Sequence, residues 1–428
     1  MRERLAIIGA GHVGLVYAAC LAELGHDVSV YDIDPERVAS LRRGAVPFFE
    51  EGLADLVKKN LKAKRLTFST EPGAALKGAT MAFICVPTPS ATDGGLDEAP
   101  MRRALQTIRQ HARGGRPIVV TKSTVSVGMN RYIKELFRDR KVPVVSNPEF
   151  LREGSAIHDF FHPHRIVLGS DDKAAMAAVA KLYETIDGPV FTTDPITAEL
   201  SKLAANAFLA LKVSFANSIA RVASSSGGDV AATLKILGTD PRIGPGHLRA
   251  GLGFGGACLP KDLAAMEHLA RRSATPYELF SAVAAVNQDQ RQHVMDILQG
   301  KLVSLSGRRI AVLGLAFKAD TDDVRESPSL ALIAELLAAG ANVVAHDPVV
   351  KLRALGKDAP AAVQRRSALE AANAADAVVI ATEWTEYGRL DLPRLRKRMK
   401  GDLLVDARGM LDPIVSRKAG FDYVGIGS

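Results

Sequence analysis

Apolar residues fall in short runs separated by stretches of helical spacing. Residues 5–8 form the first run, and 15–24 then read as a helix that stops at Gly25. Further runs at 28–31, 81–86, 118–121 and 142–145 predict strands, with helical stretches between them. Strands alternating with helices predict a parallel, doubly wound sheet. A fainter echo follows near the C-terminus. Residues 309–313 read as a strand, 329–339 as a helix stopped by Gly340, and 342–346 as a strand leading to Asp347. Residues 377–382 then take the place of 81–88. Between the two halves, 197–222 has helical periodicity with few breakers and opens a helical region reaching to about residue 301.

Gly9, Gly11 and Gly14 refine this outline. They follow the first predicted strand and open the first helix, with Asp32 at the end of the second strand. Glycines there permit a tight turn, close approach of a pyrophosphate and close helix–strand packing, and the helix N-terminus favours the phosphate charge. Asp32 suits the ribose hydroxyls and points to NAD rather than NADP, although Arg37 either meets a 2′-phosphate or stacks on adenine. The C-terminal echo has Gly314-Leu-Ala-Phe-Lys318 in place of the triplet. The expected fold is α/β, two Rossmann-like doubly wound parallel-sheet domains joined by a long central helix and helical region. The boundaries are 1–196, 197–300 and 301–428.

Composition removes several function classes. The 428 residues are 47% hydrophobic and 24% charged, as in ordinary globular chains. Three cysteines, Cys20, Cys85 and Cys258, make no disulfide framework, and the expected compartment is the reducing cytoplasm. The net charge of +8 is scattered. Its densest run, 394–400, is interleaved with Leu and Met, which favours a solvated helix face over nucleic-acid binding. The uncharged stretch 5–22 resembles a leader peptide, but a buried strand and a buried helix give the same hydropathy. No other stretch is expected to span a bilayer, and no metal site is read.

Three groups of residues carry chemistry. Cys258 follows a glycine-rich segment (Gly251, Gly253, Gly255, Gly256) and precedes Pro260, read as the first helical residue. A cysteine just before a helix N-terminus is stabilised as thiolate, and Lys261 and Asp262 add a cation and a base within one turn. Cys20 and Cys85 lie in apolar runs and read as core. Lys202 and Asn206, four apart on the long helix, share a face and suit an oxyanion, although spacing alone fits an exposed surface pair better. Glu149 and Glu153, after the strand at 142–145, suit water activation or ribose binding, or a solvated loop.

The chain resembles the UDP-glucose/GDP-mannose dehydrogenase family along essentially its whole length. The resemblance rests on the N-terminal fingerprint with Cys20-Leu-Ala-Glu-Leu-Gly-His26, and on Val86-Pro-Thr-Pro89 and Lys122-Ser-Thr-Val125. It extends through Asn147-Pro-Glu-Phe-Leu-Arg-Glu-Gly-Ser-Ala156, the segment from Gly253 to Asp262, Gly314 to Lys318, and Val324-Arg-x-Ser-Pro328. It implies that Cys258 is the nucleophile of a four-electron oxidation through a thiohemiacetal and a thioester. Lys202 and Asn206 would hold the oxyanion, Asp262 with Thr124 would handle protons, and Glu149 would assist hydrolysis. Gly9, Gly11, Val13, Gly14, Asp32 and Arg37 match NAD contacts, as do Thr88, Thr124, Glu153, Lys261 and Arg325. Phe150, Leu151, Gly255, Phe317, Lys318 and Arg408 match sugar-nucleotide contacts, beside Glu149, Glu153, Lys202, Asn206 and His247. Arg242 matches a residue that reaches the neighbouring subunit's substrate, so a homodimer is implied.

Residues 240–244 and 164–169 resemble the UDP-glucose branch. Departures from the family pattern are His247 for Tyr or Phe, Glu51 for Pro, His12 for Tyr, and Gly409 for Asn. His247 bears most on substrate choice. The alternatives are another nucleotide-sugar 6-dehydrogenase acting on GDP-mannose or a different UDP-hexose, a non-catalytic nucleotide-sugar sensor, and a two-electron dehydrogenase resembling 6-phosphogluconate dehydrogenase. Only the first has a use for Cys258, Lys202, Asn206 and Asp262 together.

Overall fold

The computed structural model describes residues 2–112 and 115–427. Two compact units emerge, one up to Ala205 and one from Asn206 onward. The first holds β1 (Arg4–Ile8), β2 (Asp27–Tyr31), β3 (Leu66–Ser69), β4 (Met81–Ile84), β5 (Ile118–Thr121), β6 (Val144–Ser146), β7 (Ile166–Gly169) and β8 (Val190–Thr193). They form one sheet in the order β3-β2-β1-β4-β5-β6-β7-β8. Order reverses between β1 and β4, the switch point at which doubly wound sheets open a ligand crevice. The expected parallel sheet has one exception. β7 runs antiparallel to β6, with Ser146 opposite Gly169, and β8 follows the direction of β7.

Burial on both faces makes these strands. Leu5, Ala6, Ile7 and Ile8 are all buried, as parallel strands covered by helices on each side require. Leu15, Leu21 and Val57 cover one face, and Met101, Leu105 and Ile133 the other. The leader-like stretch 5–22 is therefore β1 and the buried helix His12–Glu23, which starts three residues earlier than its apolar period shows.

The second unit repeats the plan. β9 (Arg309–Leu313), β10 (Asn342–His346), β11 (Val363–Gln364), β12 (Ala377–Ile380), β13 (Leu403–Asp406) and β14 (Asp422–Gly425) are ordered β11-β10-β9-β12-β13-β14, all parallel. Relative to their own first strand, both sheets follow the order 3-2-1-4-5-6. The preceding helices do not stand apart from this sheet. Ala216, Ala220, Leu234, Val294 and Leu298 share one core with Ile310, Val312 and Val379. The basic run 394–400 lies mostly on the helix Leu392–Arg398, which buries Leu392 and Leu395, while Arg396 donates to the carbonyls of Gly401 and Gly420.

The helix Pro195–Ser226 is longer than the expected 197–222 and passes through the division between units. By length and composition it is apolar enough to cross a membrane, which corrects the expectation that no such stretch exists beyond the N-terminus. Its buried residues Leu203, Ala207, Ala210, Ala216 and Ala220 lie in protein core. In the first unit, Glu199 accepts from the backbone N–H groups of Gly128 (2.7 Å) and Asn130 (2.8 Å). It thereby caps the helix Met129–Leu136, whose own N-cap, Gly128, has no side chain to do so. Glu199→Ala leaves two N–H groups without this acceptor. It is expected to lower the unfolding free energy by about 2–3 kcal/mol, read as an earlier denaturant midpoint; an unmoved midpoint would show that other acceptors replace the carboxylate.

Candidate active site

The glycine triplet sits where β1 passes into the helix His12–Glu23, with Gly11 as N-cap. Gly9 has φ +102°, and a Cβ on Gly14 would lie 2.0 Å from the Gly9 carbonyl oxygen. Those two glycines are demanded by the turn itself. Gly11 differs, because a Cβ there would meet no protein atom within 4 Å. The open space at this helix N-terminus suits the close approach of a phosphate. Asp32 accepts from Ala10 N (2.6 Å) and Asp34 N (2.9 Å), which locks it to the turn. Arg37 Nη1 lies 3.3 Å from the Asp32 carboxylate and Arg37 Nη2 3.7 Å from that of Asp34. The guanidinium is thus held by carboxylates, the opposite of a site prepared for a 2′-phosphate. These residues fit NAD.

The other first-unit residues of interest follow the C-terminal ends of neighbouring strands. Thr88 follows β4, Thr124 follows β5, and residues 147–153 follow β6. Ser123 stitches two of these ends by donating to Val86 O (2.7 Å). Glu149, Lys202, Thr88 and Thr124 are buried, while Val13, Phe150, Leu151 and Glu153 are half-buried. Lys202 Nζ lies 3.0 Å from Glu149 Oε1, and Leu151 N donates to Glu149 Oε2 at 2.7 Å. Burial pushes the Glu149 carboxyl up. The Lys202 charge and hydrogen bond, the Leu151 N–H and the charge of Lys122 outweigh it and hold Glu149 below the usual range. Phe150 lies under two cations, the Arg165 guanidinium at 3.8 Å and the Lys202 ammonium at 5.3 Å from its centroid. Lys202 and Asn206, 4% and 6% exposed, are not the surface pair that their spacing alone favoured.

In the second unit, Cys258 is the N-cap of the helix Leu259–Arg272 and is exposed. Pro260 is the second helical residue rather than the first. The helix N-terminus presents positive partial charge to the sulfur and favours the thiolate. Asp262, fully buried at 0%, accepts from Asn206 Nδ2 at 2.6 Å and touches the Lys261 ammonium. Lys261 and Asp262 thus lie in the first turn after Cys258, and Asn206 joins them through its hydrogen bond to Asp262. The glycines upstream are packed against other backbone. A Cβ on Gly251 would lie 2.8 Å from Ala407 O, one on Gly255 2.1 Å from Glu326 O, and one on Gly256 2.7 Å from the Phe317 ring. Arg408 Nη1 donates to Gly253 O (3.1 Å), and Gly256 N donates to Arg325 O (2.9 Å). Gly255, Phe317, Arg325 and Arg408 thus converge on one segment. Lys318, next to Phe317, is half-buried, and the Arg325 guanidinium binds Asp323.

Arg242 and His247 are exposed on the loop after the helix Val230–Gly238. Arg242 binds Asp240 at 2.6 Å, and Lys212 anchors the loop by donating to Ile243 O (2.9 Å) and Gly244 O (3.1 Å). His247 has φ +60°, a left-handed conformation uncommon outside glycine.

Some positioning residues escaped the sequence reading. Asn217 donates no pattern of its own, yet its Oδ1 accepts from Gly251 N (2.8 Å). Asn287 exchanges two hydrogen bonds with the Phe254 backbone, at 2.8 and 3.0 Å. Lys122, a charge closing an apolar strand, was the one legible signal, and it is buried.

Cys20 and Cys85 are core residues, as expected. Burial pushes the Cys20 thiol far up and that of Cys85 to about 12. Brief alkylation of the native protein with iodoacetamide is expected to add one group per chain, on Cys258. Peptide mass mapping that finds Cys20 or Cys85 modified at a comparable rate would contradict this environment.

Three family models together span most of the chain. They describe the NAD binding domain of the UDP-glucose/GDP-mannose dehydrogenase family (residues 3–187), its central domain (196–289) and its UDP binding domain (311–413). A UDP-glucose 6-dehydrogenase of Rhizobium meliloti is 41% identical, with 99% of each chain covered. A UDP-glucose dehydrogenase structure from Pyrobaculum islandicum superposes with TM-score 0.92 at 36% identity, covering 100% of this chain and 98% of that one. A UDP-D-ManNAc dehydrogenase structure from Pyrococcus horikoshii gives 0.87 at 27% identity, covering 100% and 99%. With the glycine turn, the Asp32 anchor and the helix-capping Cys258 in place, the chain belongs to the UDP-glucose/GDP-mannose dehydrogenase family.

Proposed function

We propose that this NAD-dependent oxidoreductase oxidises the C6 hydroxymethyl group of UDP-glucose to a carboxylate, through a covalent adduct on Cys258. The observation that carries the reading is Cys258 at a helix N-terminus with Asn206, Asp262 and Lys261 at its base. When bound on Gly9–Gly14 and Asp32, NAD supplies the acceptor for both hydrides. Functionally the chain divides as 1–196 for the cofactor, 197–300 for the nucleophile and subunit contact, and 301–428 for the nucleotide sugar.

The residues act as follows. Asp262, with Thr124 and a water, takes the proton of the C6 hydroxyl as a hydride leaves C6, giving an aldehyde. An aldehyde carbon loses hydride readily only from a tetrahedral adduct. The Cys258 thiolate therefore adds to C6, forming the C–S bond, and Lys202 and Asn206 stabilise the oxygen of the thiohemiacetal. Loss of a second hydride gives the thioester. Glu149 takes a proton from water, the water oxygen adds to C6, and the C–S bond breaks with Cys258 leaving as thiolate. The sum is RCH₂OH + 2 NAD⁺ + H₂O → RCOO⁻ + 2 NADH + 3 H⁺, a four-electron oxidation. Phe150, Leu151, Gly255, Phe317, Lys318 and Arg408 are assigned to the sugar nucleotide, and Thr88, Glu153, Lys261 and Arg325 to the cofactor. A different UDP-hexose is the second reading, favoured by His247 and by the likeness to the ManNAc enzyme.

The test is NADH yield on limiting UDP-glucose. Close to two NADH per sugar is expected, with turnover abolished in Cys258→Ser. One NADH per sugar, unaffected by that substitution, overturns the thioester route. Absence of turnover, with activity on another nucleotide sugar, moves the assignment to that sugar.

We assign the homodimer surface to the helix Pro195–Ser226. Phe208, Phe215 and Val222 recur every seven residues there and are 59%, 45% and 60% exposed, an apolar stripe with the spacing of a helix seam. Phe215→Glu is expected to shift the protein from dimer to monomer in sedimentation; an unchanged dimer places the contact elsewhere.

A further inference from the structure

Lys122 has no part in the chemistry above, yet it is among the largest fully buried side chains of the first unit, 1% exposed. Its ammonium donates to Asn147 Oδ1 at 3.1 Å and lies 3.9 Å from the centroid of the Tyr17 ring. The same Asn147 oxygen accepts from Tyr183 Oη at 2.7 Å, and Asn147 Nδ2 donates to Val167 O at 2.9 Å. Asn147 is thus fixed on three sides, and Glu149 stands two residues beyond it. The groups facing Lys122 come from five elements: Tyr17, Cys85, Tyr183, Glu149 and Lys202. The tyrosines and Cys85 are kept neutral by burial. The charged set is therefore one carboxylate, Glu149, and two ammoniums.

A buried charge is expensive unless compensated. Lys202 compensates Glu149 directly, at 3.0 Å, but in the reaction Lys202 is also needed by the oxyanion. When it turns to the oxygen, Glu149 loses its nearest cation at the step where it must be ionised to take a proton from water. Lys122 cannot be diverted in this way, since Asn147 and the Tyr17 ring hold it below the surface.

We propose that Lys122 is a positioning residue for hydrolysis of the covalent intermediate, a counter-cation fixed in place that keeps Glu149 ionised on the acid side while Lys202 serves the oxyanion. The proposal rests on the hydrolytic role assigned to Glu149. Burial pulls Lys122 down to about 7, against the opposing pulls of Cys85 and Glu149. Lys122 accordingly gains its full charge as pH falls through neutrality, before Glu149 begins to take up a proton.

The sign of the effect follows. Removing a neighbouring cation raises a carboxylate's pKa, by roughly one to three units for close pairs, so the acidic limb of kcat moves to higher pH. Lys122→Met is the first variant. It replaces a buried charge with an apolar chain of similar length, and Asn147 Oδ1 keeps Tyr183 as donor. Lys122→Gln, which keeps an amide donor but no charge, is the second, in case the first does not fold. In either, the acidic limb is expected to move up by at least about one pH unit, costing about tenfold in kcat on that limb. KM for UDP-glucose and the first burst of NADH stay within about twofold, and intact-mass measurement on the acid side shows the sugar adduct accumulating on the chain. An acidic limb that stays in place in the folded variant overturns the proposal, as does a kcat loss equal at every pH. Glu149→Gln is run in parallel. If it accumulates no adduct, the hydrolytic role of Glu149 fails and the proposal falls with it. If it does and the Lys122 limb is unmoved, only the proposal for Lys122 falls.

Discussion

The segment leading to Cys258 passes through a gap that admits backbone and little else. Every second residue from 251 to 255 is glycine, and each faces a neighbouring main chain or amide at a distance no Cβ tolerates. The residues between them, Leu252 and Phe254, are buried in hydrophobic core. The alternation gives the segment a bare side and an anchored side, and Asn217, Asn287 and Arg408 hold its amides and carbonyls. The course of the chain is therefore settled before the helix Leu259–Arg272 begins. The N-cap position of the thiol, and with it the helix-terminal field on the sulfur, depends on that passage. Asp262 and Asn206 take their places one turn further on.

Charge in the first unit is governed by burial of another kind. Asp32, Glu149 and Glu199 are all buried carboxylates, and all are met by backbone N–H groups: Ala10 and Asp34, Leu151, and Gly128 and Asn130. Amide donors are fixed by the fold and carry no net charge, so they stabilise an anion without adding a titrating partner. Glu149 differs in having two lysines as well, which makes it the member of this set whose environment changes when a neighbour moves. The second unit repeats the device. Asp347 follows β10 as Asp32 follows β2, and both its oxygens likewise accept hydrogen bonds, from Leu315, Ala316 and Trp384 on one side and from Val349 and Val350 on the other. The repeated fold thus retains the aspartate as a turn anchor.

The parts of the fold that could be read from the sequence are those that declare themselves locally. Strands buried along most of their length appear as apolar runs, so β1, β4, β5, β9, β10 and β12 were legible to within a residue or two, as was β2 with its alternate residues half-buried, and β6 was placed two residues early; β7 and β13 are equally buried and were not read. β3 and β8 expose residues such as Thr67, Val190 and Phe191 and gave no such run. The reversal at β7 leaves no local mark at all. Cys258 was legible because glycines and a proline flank it. Lys202 and Asn206 were not separable from a surface pair, since a spacing of four fixes their relative direction but not what faces them. Asn217 and Asn287 act on residues 34 and 33 positions away, and only the folded chain shows the link.

The reversed pair β7 and β8 has a consequence for chain length. Because β8 runs against β6, the chain leaves it behind the ligand-binding edge, and the helix that starts at Pro195 advances toward that edge. Glu199 comes level with Ser146 (3.4 Å), and Lys202 with Glu149. The helix works as a vernier, with about 1.5 Å of advance and about 100° of rotation per residue. A single residue inserted between 199 and 202 would turn the ammonium roughly a quarter of the way round the helix while leaving the cap on Gly128 and Asn130 in place. The three-residue interval between those side chains is therefore a phase relation. This stretch can drift in composition where its side chains are exposed, as at Leu200, but evolution is not free to lengthen or shorten it.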